Sequence, residues 1–292
     1  MKKIIYSLYI DIPKEELDIF DKNVLKEGAP PINYITKSQF KDNYDDLVAC
    51  KQAYAFANNI EFKMFEFDSN YINYQKQLQT KYPYLTTYNV INFYKIYLMY
   101  ELAKDYDEIL YLDFDVIPMK FTNFFEHWDL TKGIAVLDNS DAVSKIESVT
   151  ETSTTIRSPT AKYYNAQAML IEEGYGPENN VINTGIIGVN KQTLKDLDYY
   201  GNFEHTLKLM KQLKEENDYG LYPKNIVDMF GYDNETIMSY KLIKNNISIQ
   251  WLDTDWHHFY DVEFYIPKSV KLIHAINKRF DYVWRYYDKC NL

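Results

Sequence analysis

The chain has 292 residues, 46% of them hydrophobic, and a formal net charge of −10. That is enough apolar material for a substantial core in one large domain or two small ones. The acidic balance, with no basic tract, excludes a nucleic-acid footprint and leaves any anionic ligand to be met by a metal or a few placed cations. Two cysteines, Cys50 and Cys290, are too few for a disulfide framework. No stretch approaches the roughly 18 apolar residues of a membrane span. The opening MKKIIYSLYID has a basic pair and an apolar run, but it stops at Asp11 without a small-residue cleavage site. These features read as a soluble, cytoplasmic chain with no transmembrane segment.

In chain order, KKIIYSLYI predicts a buried strand. DDLVACKQAYAFANN has helical spacing, with Leu47, Cys50 and Tyr54 on one face, and IEFKMFEFD alternates, placing Ile60, Phe62 and Met64 on one side. That strand-helix-strand opening is the pattern of a parallel sheet. NVINFYKIYLMYELA predicts an amphipathic helix through Val90, Phe93, Tyr97 and Leu98, leading into the strand EILYL. KGIAVLD and VINTGIIGVN predict two more strands. KQTLKDLDYYGNFEHTLKLMKQLKEEND reads as helix with a break at Gly201, ETIMSYKLIKNN as another helix, and ISIQWLD and SVKLIHAI as short strands. The expected architecture is one α/β domain over 1–292. The stretch 140–180, with TETSTTIRSPT and EEGYGPENN, reads as an irregular loop serving as a mobile lid or acceptor loop. The 29 tyrosines admit two readings, an AT-rich coding bias shared with Asn, Ile and Lys, or faces for stacking on sugar rings.

The chemistry concentrates in EILYLDFDVIP, Glu108 to Pro118. Burying an unpaired carboxylate is costly, so a pair of them at the end of an apolar strand predicts a cation facing them. Residues i and i+2 of a strand share a face, so Asp113 and Asp115 are expected to point together with Phe114 turned into the core. The carboxyl end of a strand is where open α/β sheets bind ligands. Two oxygen donors suit Mg²⁺ or Mn²⁺, which fill their remaining positions with substrate phosphate. Two enzyme classes use such a motif. Phosphatases of the haloacid dehalogenase type would use Asp113 as a phosphorylated nucleophile, but their motif opens the domain. Nucleotide-sugar glycosyltransferases of the GT-A fold carry theirs after a nucleotide-binding half of about this length.

Four segments together resemble glycosyltransferase family 8, the group of glycogenin and the bacterial lipopolysaccharide galactosyltransferases. YKIYLMYELAKDYDEILYLDFDVIP is similar to the family's helix with a basic residue, here Lys95, followed by its D-x-D strand. NNVINTGIIGVN resembles the N-[AS]-G strand, at Asn183, Thr184 and Gly185. YDNETIM resembles D-Q-D-x-L, at Asp233, Asn234 and Glu235. VKLIHAINKRFDYVW resembles I-H-F-x-G-x-x-K-P-W, which sets His274 at the family's third metal ligand. Departures are Asn234 for glutamine, Glu235 for aspartate, Asn277 for the glycine after the histidine, and the early basic pair Lys278 and Arg279. Trp256-His257 stands where the family has Trp-Asn.

The resemblance implies a GT-A fold and transfer of a hexose from a nucleotide-sugar to an acceptor hydroxyl, with retention of configuration. UDP-glucose or UDP-galactose would be the donor, and a glycan, a lipid-linked sugar or a protein the acceptor. It implies Mn²⁺ (or Mg²⁺) on Asp113, Asp115 and His274, and Asp233 and Asn234 as the catalytic residues facing the sugar. Tyr9, Asp11, Lys95, Phe114, Asn183, Gly185, Asn277 and Lys278 are expected around the nucleotide, with Tyr6 beside the first two. A non-catalytic carbohydrate-binding protein, using the tyrosines and no metal, is the further alternative.

Overall fold

The computed structural model describes residues 1–13, 32–145, 158–215, 222–260 and 265–290. The chain divides into two compact units. One comprises Met1–Asp129, Gly185–Gly188 and Leu252–Leu292, the other Leu130–Thr184 and Val189–Trp251.

The first unit begins with β1 (Lys3–Leu8), α1 (Ile32–Asp42), α2 (Tyr44–Ala57), β2 (Glu61–Phe65), α3 (Ser69–Lys81), α4 (Thr87–Leu102), β3 (Glu108–Leu112), β4 (Val116–Pro118) and the single turn α5 (Phe124–His127). β1 pairs in parallel with β2, Ile4 opposite Glu61, and with β3, Ile4 opposite Ile109. β1 is flanked on both sides and reads as a near-continuous apolar run, as buried parallel strands do. β2, at the end of the strand order, alternates instead, with Phe62 and Met64 less exposed than Glu61 and Lys63. α4 starts sharply because Thr86 and Asn89 form a reciprocal capping box, and its Val90, Phe93, Ile96 and Met99 are buried.

The second unit holds β5 (Ile134–Asp138), α6 (Ser158–Glu172), the ends of β6 (Ile182–Asn190), α7 (Lys191–Leu197), α8 (Phe203–Glu215), α9 (Lys224–Val227), α10 (Asn234–Lys244) and β7 (Ile249–Trp251). Its strand order is β6-β5-β7, with Ile134 opposite Ile249 in a parallel pair. The expected break at Gly201 is real, since α7 ends with Asp198 in the left-handed region at φ 42°. The expected irregular loop over 140–180 is not loop throughout. Ser158–Glu172 is helical, with Ala161, Tyr164, Asn165 and Ala168 buried, while 146–157 lie outside the described residues.

The chain then returns to the first unit with β8 (His258–Phe259), β9 (Leu272–His274) and α11 (Phe280–Cys290). These form a second sheet of order β4-β9-β8. Phe114, Ile117, Met119, Ile273, Ala275 and Phe280 share one apolar cluster with Leu47 and Cys50 of α2. The end of β3, the start of β4 and the end of β9 thus rest on a common core. Among the described residues no helix is long and apolar enough to cross a membrane.

Candidate active site

β3 delivers Ile109–Leu112, all buried, and then stops. Asp113-Phe114-Asp115 is a turn, closed by the Val116 N–H donating to the Asp113 carbonyl at 2.9 Å. This corrects the expected strand alternation. The turn, not the pleat, converges the two carboxylates, because it carries the chain directly from β3 into β4. Phe114 is buried as expected, its ring stacked on Tyr9 at 4.6 Å and 22°. The turn is held by its backbone as well. The Asp113 N–H donates to the Gly185 carbonyl at 2.7 Å. Lys51, fully buried in α2, donates to the carbonyls of Phe114 at 2.8 Å and Leu47 at 3.0 Å.

The antiparallel pairing of β9 with β4 sets His274 opposite Val116, next to Asp115. The following N–H, of Ala275, donates to the Asp115 carbonyl at 3.0 Å. His274 Nε2 then lies 3.3 Å from Asp115 Oδ2 and 3.9 Å from Asp113 Oδ2. One donor atom from each of Asp113, Asp115 and His274 falls within 4.8 Å of the others. Its second ring nitrogen, Nδ1, is 3.0 Å from Nε2 of buried His257.

Charge is balanced locally. Lys95 Nζ is 3.5 Å from Asp113 Oδ1, an oxygen that also accepts from the Tyr111 hydroxyl. Lys278 Nζ donates to Asp115 Oδ2. Burial pushes the Asp115 carboxyl up, but Lys278 and His274 together outweigh it and hold it well below the usual carboxylate range. Lys278 shows the converse, as Asp115 overrides burial and raises its amine. Burial, then the neighbouring Asp113, push the Tyr111 hydroxyl far up, so it remains a donor. Burial lowers Lys51, against the pull of Cys50 and both carboxylates. Burial likewise drives His257 well below the ordinary histidine range, helped by His274. Two carboxylates and an imidazole within reach of one point form a donor set for a hard or borderline divalent ion, so the residues fit Mn²⁺ or Mg²⁺.

The other expected residues fall as follows. Tyr9 lies against Phe114, with its hydroxyl 3.5 Å from Asp11 Oδ1, while Asp11 pairs with Lys37 at 2.6 Å. Tyr6 is core, its hydroxyl donating to the Lys95 carbonyl at 2.5 Å. Asn277 is exposed, and Lys278 takes a left-handed backbone, φ 56°, as its amine reaches Asp115. In the second unit Asn183 is half-buried in β6. Asp233 caps α10, its Oδ1 accepting from the N–H groups of Glu235 at 2.8 Å and Thr236 at 3.0 Å. Its other oxygen is 3.5 Å from Lys162. Buried Asn234 donates to the Thr184 hydroxyl at 2.9 Å, and Glu235 accepts from the Thr184 N–H at 2.8 Å.

Three residues of this region escape the sequence reading. Lys51 could have been found, because it follows Leu47 by one helical turn and so is a lysine on an apolar face. Tyr111 precedes Asp113 by two, but within an apolar run its hydroxyl gives no sign of a polar task. His257 stands out only by replacing the asparagine of the similar family.

Residues 32–277 match the family described as glycosyl transferase family 8. Solved structures similar to the chain include the following three. A glycosyltransferase involved in the glycosylation of the major capsid of PBCV-1 is 13% identical, with 100% of this chain and 99% of that one covered and a TM-score of 0.43. The galactosyltransferase LgtC, in complex with donor and acceptor sugar analogs, is 11% identical over 99% and 95%, at 0.43. Mouse xyloside xylosyltransferase 1 in its apo form is 12% identical over 94% and 98%, at 0.45. No curated protein matches the sequence.

Proposed function

The chain belongs to glycosyltransferase family 8, and from that premise we propose that it transfers a hexose from UDP-glucose or UDP-galactose to an acceptor hydroxyl, with a divalent cation and retention of configuration. Membership of a transferase family favours this reading over the phosphatase and the non-catalytic alternative. The observation that carries the reading is the convergence of Asp113, Asp115 and His274 within 4.8 Å, from segments far apart in the chain.

Asp113, Asp115 and His274 would hold Mn²⁺. When bound, the cation supplies a Lewis acid beside the diphosphate of the donor. The protein's own groups do the rest. Lys278 and Lys95 already stand against the two carboxylates, and they bring positive charge to a region that must receive a strongly anionic group, in a molecule of net charge −10. Lys278 is the cation that steadies the departing diphosphate. Lys51, Gly185 and Tyr9 hold the backbone of the Asp113–Asp115 turn and the Phe114 ring, so the main chain that carries the carboxylates is already in place for binding. Tyr9 and Asp11 serve the nucleoside, with Asn183 and Asn277 as further donor contacts. Asp233 and Asn234 face the sugar through hydrogen bonds. Asn234 has no ionisable group to act as a nucleophile, which fits transfer without a covalent intermediate.

The test is UDP release from UDP-glucose and UDP-galactose with Mn²⁺ and with excess chelator. Mn²⁺-dependent release is expected. Asp115→Asn and His274→Ala should each lower it by more than the ~10- to 100-fold typical of losing a partner outside the ligand set. Unchanged turnover in chelator would overturn the metal reading. NMR of the product from an α-linked donor checks retention, and a β-linked product would refute it.

A further inference from the structure

His274 uses both ring nitrogens. Nε2 faces the oxygens of Asp115 and Asp113 at 3.3 and 3.9 Å, and Nδ1 meets Nε2 of His257 at 3.0 Å. The pairing is built into the fold. β8 runs parallel to β9, with His258 opposite Ile273 and Phe259 opposite His274, and His257 immediately precedes β8. Both rings are buried. Phe259 packs against both, 5.0 Å from His257 and 5.5 Å from His274 between ring centres. The remaining nitrogen, His257 Nδ1, is buried and has no hydrogen-bond partner among the described residues.

We propose that His257 is a positioning residue for the metal site, acting by deciding which nitrogen of His274 carries the proton. This rests on the reading of Asp113, Asp115 and His274 as metal ligands. A neutral imidazole has one N–H and one lone pair. For Nε2 of His274 to be a ligand, its proton must be on Nδ1, where it donates to Nε2 of His257. His257 must then carry its own proton on Nδ1, the nitrogen without a partner. Without a cation the opposite arrangement satisfies more groups. His274 Nε2–H donates to Asp115, His257 Nε2–H donates to His274 Nδ1, and only a lone pair is left unmatched. Orphaned buried N–H groups are the rarer and less tolerated kind. The pair therefore has two states with the same two protons. Cation binding moves each proton to the other nitrogen of its own ring, by exchange with solvent. A metal-bound histidine whose second nitrogen meets a defined partner is held in tautomer and orientation. Here that partner switches together with the ligand.

The experiment uses full-length protein labelled with ¹⁵N at histidine. Long-range ¹H–¹⁵N correlations distinguish the protonated from the bare nitrogen of each ring, in apo protein and with one equivalent of Zn²⁺, a diamagnetic probe that accepts imidazole. The expected result is Nε2–H on both rings without Zn²⁺ and Nδ1–H on both with it. In parallel, Mn²⁺ affinity is measured by electron paramagnetic resonance. His257→Phe should weaken it by ~10- to 100-fold, and His257→Asn, which keeps a donor and an acceptor, should restore it to within about threefold on the same scale. Wild-type protein that binds Mn²⁺ while His274 and His257 keep one tautomer throughout would overturn the inference. So would His257→Phe binding Mn²⁺ within twofold of wild type. Wild-type protein that binds no Mn²⁺ would overturn the underlying metal reading as well. The tautomer measurement needs no variant, so a poorly folding His257→Phe does not blunt the test.

Discussion

Glu173, just past the end of α6, shows how a single carboxylate can be written into the stability of its unit. Its Oε1 is 2.6 Å from His205 Nε2, and its Oε2 accepts from the Tyr240 hydroxyl at 2.5 Å and from Lys244. Burial alone would raise this carboxyl, but Lys244, Tyr240 and His205 together hold it at about 2, against 4.5 in an unstructured chain. A depressed folded-state value means the unfolded chain takes up the proton first as pH falls. The stabilisation is complete above about pH 4.5 and is lost as pH falls towards 2. Glu173→Gln should therefore be less stable than wild type at pH 7, and the gap should narrow steadily below pH 4.5. Urea unfolding of both proteins across pH 7 to 3 measures it, and a gap that stays constant would refute the assignment. Asp115 belongs to the same class of depressed carboxylate, but its proposed task is to bind a cation. Its charge is matched by Lys278 in a buried place, so Asp115→Asn leaves Lys278 without its counter-charge as well as removing the proposed ligand. Stability and activity should both fall in that variant, which is why His274→Ala is its necessary companion.

At the scale of elements, α10 puts two roles on one residue. Asp233 caps the helix through Oδ1, and the proposed sugar contact draws on the same side chain. Asp233→Ala should cost about 1 kcal/mol of cap, whereas Asp233→Asn retains an acceptor and should keep the wild-type melting temperature. If the sugar role is real, Asp233→Asn still lowers kcat/KM. Unchanged kcat/KM with unchanged melting would reduce Asp233 to a cap. The elements also explain what the sequence could tell. The apolar strand runs of β1, β3 and β6 were legible because buried parallel strands carry their burial in composition. The carboxylate pair is legible from the apolar run that leads directly to it, and His274 only through the resemblance of VKLIHAINKRFDYVW to the family's segment. α6 was not, because its buried stripe of Ala161, Tyr164, Asn165 and Ala168 has helical spacing but little hydropathy. The turn at Asp113 was missed because the i, i+2 rule gives the same convergence from a strand. Tyr111 is not legible because its work is a hydrogen bond to a neighbour within an apolar run, whereas Lys51 carries a signal in its place on the apolar face of α2.

For the whole molecule, the cation and the nucleotide are expected to act as stabilisers. Anything that binds only the folded state adds RT ln(1 + [L]/Kd), about 2.7 kcal/mol at a hundredfold excess over Kd. Mn²⁺ with UDP should raise the melting temperature of wild type, and the shift should vanish in Asp115→Asn. An equal shift in the variant would place the binding elsewhere. The dependence of the site on β4–β9 pairing has a consequence for how the protein is made. The unit carrying the site is assembled from both ends of the described chain, with another unit's sequence between them. At a translation rate of about 5–20 residues per second, the roughly 160 residues between Asp115 and His274 take about 8–30 s to follow. Through that interval the nascent polypeptide carries both aspartates and Lys95 but no imidazole opposite Val116. On the proposed reading it lacks one of the cation's three ligands until β9 has been made, so cation-dependent use of the donor begins only after that strand joins β4.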